Sequence, residues 1–194
     1  MQDNLARARD NYTYDEYLAW ERPNRYELID GQPHLMSAAS PRHQEICGDL
    51  YIALREHLSG RQCKAYQDIN VKLYPQRARN RQMVFRPDIS VICDQDKMDN
   101  HGCNGAPDLV VEILSPGNQS HDRYFKFMHY FRAGVREYWI VDPEYHVIQV
   151  CLLEENRYYI MMYQQGDTLP CAALPGFNLA LTSIFPDEET PTEE

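Results

Sequence analysis

A mixed α/β fold with a largely central β-sheet is what this sequence predicts. Three observations carry the prediction. Apolar, β-branched runs such as 109–114 alternate along the chain with stretches of helical periodicity such as 41–58. The 194 residues contain no internal repeat and no linker, so residues 1–186 read as a single domain. A composition of 43% hydrophobic and 25% charged residues, with 14 tyrosines, is a globular balance that excludes global disorder.

The elements follow in order. Thr13-Tyr-Asp-Glu16 has the capping-box pattern and opens a short helix from Tyr14 to about Trp20, which Pro23 stops. Residues 26–31 read as a strand entering an Asp-Gly turn, with 34–37 as the hairpin partner. Ser40 is an N-cap followed by Pro41 at the first helical position. Ile46, Leu50, Leu54 and Leu58 then recur at helical spacing, giving a helix over 41–58 that stops near Gly60. Residues 63–73 predict one strand, followed by an arginine-rich loop and a strand at 89–93. The polar stretch 94–107 predicts a loop. Residues 108–114 form a strongly apolar strand. A helix fits 121–133, with Tyr124, Phe127, Met128 and Phe131 as its core stripe and Gly134 as its end. Strands at 137–142, 146–153 and 157–163 complete the fold.

Charge and cysteine usage narrow the function classes. The net charge of −10 argues against a general electrostatic grip on nucleic acid. That charge is uneven. Residues 187–194 hold five acidic groups and no base and predict a disordered acidic tail. By contrast, Arg77, Arg79, Arg81 and Arg86 crowd into ten residues, either as a charged hairpin loop or as a phosphate-contacting one. No run approaches the roughly 20 apolar residues of a membrane span, and the first ten residues lack the apolar core of a secretory signal. The expected location is cytoplasmic. The six cysteines form no C-x-x-C pair, so zinc is not expected and the thiols are expected to be reduced.

Glu112 is the most informative residue. It lies inside a strand whose two faces both read as buried. A carboxylate there needs a cation partner or must stay protonated. A buried ion pair and a metal site both meet that need. Glu27 begins another apolar strand, and Asp88 follows Pro87 at the start of a third. Together the three carboxylates are the oxygen set preferred by Mg²⁺ or Mn²⁺. Lys126 lies on the helix after the Glu112 strand. With Asp122 four residues before it, it reads either as half of a surface pair or as a cation aimed at the carboxylates. Gln67 and Asp68 are placed to line the same cleft. His43, near the start of the second helix, reads as a surface histidine or as a contact to phosphate or water. No nucleophile elbow and no phosphate-cradling glycine loop are present.

The order of these motifs resembles one family. Glu27-Leu-Ile-Asp-Gly31, Arg86-Pro-Asp88, the block 107–116, Asp122-x-x-x-Lys126 and the block 134–143 together resemble the Uma-type restriction endonuclease-like proteins, within the PD-(D/E)XK nuclease superfamily. The resemblance runs from about Thr13 to Phe185. It implies a restriction endonuclease-like fold: a mixed central β-sheet flanked by α-helices. It also implies a Mg²⁺- or Mn²⁺-dependent phosphodiesterase site acting on DNA, with Asp88, Glu112 and Glu27 as metal-binding acids and Lys126 as the catalytic cation. The superfamily lysine would stand two residues after Glu112, where this chain has Leu114. His43, Arg77, Arg79 and Arg81 are the candidates to meet nucleic acid. A homodimer would suit cleavage of both strands of a duplex. The rival expectation keeps the fold without turnover, as a catalytically inactive nucleic-acid-binding or assembly module.

Overall fold

The computed structural model describes residues 11–20, 25–78, 81–115 and 121–186. Arg79 and the acidic tail 187–194 lie outside the described residues. The capping box at Thr13 opens α1 (Tyr14–Leu18) as the sequence predicts, its Oγ1 accepting from the Glu16 N–H. Strands β1 (Tyr26–Ile29) and β2 (Gln32–Leu35) form the predicted hairpin, with Asp30 and Gly31 both at positive φ in the turn. Helix α2 (Pro41–His57) begins at the Ser40 cap with proline at its first position and buries Ile46, Leu50 and Leu54 completely.

The predicted strand over 63–73 breaks in two. Asp68 adopts φ +50, in the left-handed region, and divides β3 (Lys64–Gln67) from β4 (Asn70–Lys72). The break sends the halves to different sheets. Next come β5 (Val84–Phe85), β6 (Ile89–Ile92), β7 (Met98–Asp99), β8 (Gly102–Asn104) and β9 (Leu109–Ile113). The predicted loop at 94–107 thus contains the short pair β7 and β8. A π-helical turn, His121–Lys126, runs into α3 (Phe127–Ala133), which ends at Gly134 with φ +84. The chain finishes with β10 (Glu137–Asp142), β11 (Val147–Glu154), β12 (Arg157–Gln164), β13 (Thr168–Pro170) and β14 (Asn178–Ala180).

Among the described residues the strands make two mixed six-stranded sheets and a small ribbon. The first runs β2-β1-β5-β4-β8-β7 and the second β12-β11-β10-β9-β6-β3; β13 pairs with β14. Each large sheet has one parallel contact, β4 with β8 and β9 with β10. One face of the second sheet carries Val111, Trp139 and Val150 against α2 and the C-terminal Leu169, Phe177 and Phe185. Its other face carries Val110, Tyr138 and Ile140 against Tyr130 of α3 and, from the first sheet, Val71 and Phe85. Strand β9 is therefore buried on both sides, as its apolar residues around Glu112 require. No helix among the described residues is long and apolar enough to cross a membrane.

Two expectations are corrected here. Cys63 and Cys93 are joined by a disulfide rather than held as thiols. The β3–β6 register, which sets Lys64 opposite Ile92, brings the flanking residues 63 and 93 side by side. The remaining four cysteines are buried and free. The core stripe of the third helix is also different. Tyr124 and Met128 are exposed, at 73% and 40%, while Asp122, Lys126 and Tyr130 face inward. Spacing by four residues puts these three on one helical face. The charged pair turns inward because carboxylates wait there, and Tyr124 and Met128 take the outside, while Phe127 and Phe131 pack against Tyr158 at the edge of the core.

Candidate active site

Strand pairing brings the two principal acids together. Strands β6 and β9 are antiparallel with Ile89 opposite Val111, so one step further sets Asp88 opposite Glu112 on the same face of the sheet. Asp88 is pinned there. Its Oδ2 accepts a hydrogen bond from the Ile113 backbone N–H at 2.8 Å and lies 3.1 Å from His43 Nε2. His43 is buried rather than a surface histidine, because the first turn of α2 lies against the end of β6.

Glu112 and Glu27 meet at Lys126. The Lys126 ammonium lies 2.9 Å from Glu112 Oε1, 2.9 Å from Glu27 Oε1 and 3.3 Å from Asp122 Oδ1. The Tyr130 hydroxyl donates to the same Glu112 oxygen at 2.8 Å, and the Arg86 N–H donates to Glu27 Oε1 at 3.0 Å. Lys126, Glu27, Glu112 and Asp122 are each at most 3% exposed. Burial pushes the Glu112 carboxyl well above the usual carboxylate range; Lys126 pulls it down, and Asp122, Asp88 and Glu27 push it further up. Burial disfavours the charge on Lys126, but Glu112, Glu27 and Asp122 outweigh burial and hold its pKa well above that of an ordinary lysine. Tyr130 is also held high, by burial and then by the Glu112 charge.

Asp88, Glu112, Asp122, Lys126 and His43 line one cavity of about 30 Å³, with residues 36–39 and Arg25 forming other parts of its wall. That volume has room for about two water-sized species. Glu27 stands behind it, tied in through Lys126. Four of the residues that sequence reasoning singles out, Glu27, Asp88, Glu112 and Lys126, are thus brought together, and His43 joins them. Arg77 and Arg81 do not line the cavity; Arg77 pairs with Asp30 and sits over the Tyr74 ring. Gln67 donates to the Cys47 sulfur and Asp68 binds two arginines, so neither lines the cavity.

Sequence reasoning misses three participants. Asp122 reads only as the partner of Lys126, and Tyr130 and Arg25 are not singled out. The repeat of Asp122, Lys126 and Tyr130 at four-residue spacing could have exposed the first two.

A family model described as "Uma2: Putative restriction endonuclease" matches residues 14–182. The chain belongs to the Uma2 family. An uncharacterised protein of Synechocystis sp. is 30% identical to this Uma2 protein over 178 residues, covering 88% of this chain and 90% of the relative. In fold, the Uma2 chain is similar to a crystal structure from Anabaena variabilis described as "a putative nuclease belonging to DUF820". The TM-score is 0.72 at 19% identity, over 89% of this chain and 97% of that one. The similarity supports the restriction endonuclease-like architecture of mixed sheet and flanking helices.

The donor set fits a hard divalent ion. Asp88 and Glu112 each have one oxygen committed to protein hydrogen bonds, and both carboxylates border the cavity. Among the described residues, no group of three histidine, cysteine or acidic side chains forms a ready-made metal cage. Two carboxylates with space beside them suit Mg²⁺, which keeps several waters and completes its shell with substrate phosphate.

Proposed function

We propose that this protein is a divalent-metal-dependent phosphodiesterase that cleaves DNA. The observation that carries the reading is an imbalance of charge. Three carboxylates, Glu27, Glu112 and Asp122, surround a single ammonium, and a fourth, Asp88, lines the same cavity of water-sized volume. Buried carboxylates in such excess recruit a cation. When bound, a divalent ion supplies positive charge for a scissile phosphate and acidifies a coordinated water. Asp88 and Glu112 would hold it. His43 and the Ile113 N–H aim Asp88, while Lys126 and Tyr130 aim Glu112 and compensate its charge. Family membership supports the same reaction class.

The experiment combines calorimetric titration of Mg²⁺ and Mn²⁺ with nicking of supercoiled plasmid. Wild-type protein should bind the ion and nick. Asp88→Asn and Glu112→Gln should each reduce nicking at least 100-fold and abolish tight metal binding. Equal nicking by all three proteins would overturn the assignment.

One observation favours the rival reading of an inactive binding module: Leu114 stands where the superfamily has its lysine, and the Lys126 ammonium is ion-paired to three carboxylates. That reading predicts a metal-independent mobility shift of DNA, steeply weakened by salt, without nicking. A homodimer belongs to the nuclease reading, because two centres address two strands.

A further inference from the structure

We propose that Arg25 grips a phosphodiester oxygen of the nucleic acid at the mouth of the cavity, in the role that the missing lysine at position 114 leaves open. The inference rests on the nuclease reading above and supplies its substrate-contacting cation.

The Lys126 ammonium has three N–H donors. Glu27, Glu112 and Asp122 stand at hydrogen-bonding or ion-pair distance around it, and the side chain is 3% exposed. Its charge is thereby committed to three carboxylates, with Glu112 Oε1 accepting a hydrogen bond at 2.9 Å. The other histidine or basic side chains in the cavity wall are His43 and Arg25. His43 directs Nε2 at Asp88.

Arg25 is different in surroundings and in charge. It immediately precedes β1 and lies two residues before Glu27, so the two side chains leave the chain on the same side. Its NH2 group bonds Asp68. However, Asp68 is already engaged by Arg86, whose Nε reaches Oδ1 at 3.0 Å and whose NH2 reaches Oδ2 at 2.9 Å. This is the fork-on-fork geometry that satisfies a carboxylate. Two guanidinium groups therefore share one carboxylate and leave an excess positive charge. The excess sits on Arg25, the more exposed of the two, at 36% of its side chain against 14% for Arg86. Arg25 Nε is buried and has no hydrogen-bond partner among the described residues. A guanidinium side chain that lines an acidic cavity and is 36% exposed is suited to an anionic ligand that arrives with its own charge. The left-handed turn at Asp68, which splits β3 from β4, is what carries the anchoring carboxylate to this position. The centre is thus bipolar: carboxylates for a metal ion, and a guanidinium beside them for the phosphate.

The test uses a fluorescein-labelled 20-base-pair duplex, with Ca²⁺ for binding and Mg²⁺ for cleavage, across a potassium chloride series. Arg25→Gln should lower kcat/KM at least 10-fold while the protein still melts cooperatively. It should also flatten the plot of log affinity against log salt by about one, the signature of one lost phosphate contact. Arg25→Lys, which keeps the charge but not the fork, should restore the slope and recover only part of kcat/KM. Wild-type kcat/KM and slope in Arg25→Gln would overturn this inference and leave the nuclease reading standing. A wild type that neither binds nor cleaves would remove both. A wild type that binds without cleaving leaves the salt slope of Arg25→Gln to decide. If Arg25→Gln fails to fold, Asp68→Asn tests the anchor: a loss of kcat/KM supports the role, and wild-type kcat/KM overturns it.

Discussion

Lys126 would be among the most expensive residues in this protein to remove. Deleting one partner of a buried ion cluster leaves uncompensated charge in a low-dielectric site, at a cost of about 3–5 kcal/mol. Here the orphans would be Glu27, Glu112 and Asp122 together. Lys126→Met should therefore lower the unfolding free energy at pH 8 by that amount, measured by urea denaturation without divalent ions. The deficit should shrink as pH falls. Glu112, already held above the usual carboxylate range by burial, then takes up a proton and removes one of the orphaned charges. A variant within 1 kcal/mol of wild type at pH 8 would show that the carboxylates do not depend on this ammonium. That Glu112 must meet a cation was legible in the sequence because a carboxylate inside a doubly buried strand has few structural excuses. The direction of the Lys126 donors was not, because i,i+4 spacing to Asp122 is the same for a surface pair and a buried tripod.

Elements were legible where local chemistry acts alone and obscure where a single backbone conformation decides. The α1 and α2 caps are local hydrogen bonds, and both helices begin where Thr13 and Ser40 place them. Residues 63–73 have strand composition throughout, and nothing in the apolar pattern marks the left-handed Asp68 that divides them. The third helix was misread for a related reason: apolar periodicity points to a hydrophobic interior, whereas this helix meets buried acids. Another backbone constraint holds the first sheet together. Gly102, at the start of β8, has φ +142, and a Cβ there would lie 2.1 Å from the carbonyl oxygen of Asn70 on β4. The obstacle is main chain and cannot rotate away. Gly102→Ala should therefore cost about 3 kcal/mol by combined strain and overpacking, read as a lowered urea midpoint. An unchanged midpoint would mean that the β4–β8 contact yields easily.

At the scale of the whole molecule, buried proton donors set the pH range over which the fold survives. The mixed α/β frame was readable from the alternation of apolar runs and helical periodicity. The two-sheet architecture was not, since it depends on which strands the turns send to which sheet. That architecture buries many thiols and phenols. Burial pushes Cys103 and Cys151 up to about 11 from an ordinary 9.0, and it also raises Cys47, Cys171, Tyr130, Tyr138 and Tyr158. In each case the folded state holds its proton after the unfolded state has lost it. The stability this contributes is complete below the unfolded pKa and disappears as pH rises through the folded one. Urea midpoints should therefore be level to about pH 8.5, then fall steadily toward pH 11. The Cys103→Ala, Cys151→Ala double variant should be less stable at neutral pH because it creates cavities. Its decline between pH 9 and 11 should nevertheless be shallower than that of the wild type, since two of the responsible protons are gone. Parallel declines in the two proteins would assign alkaline unfolding to the tyrosines and the other two thiols instead.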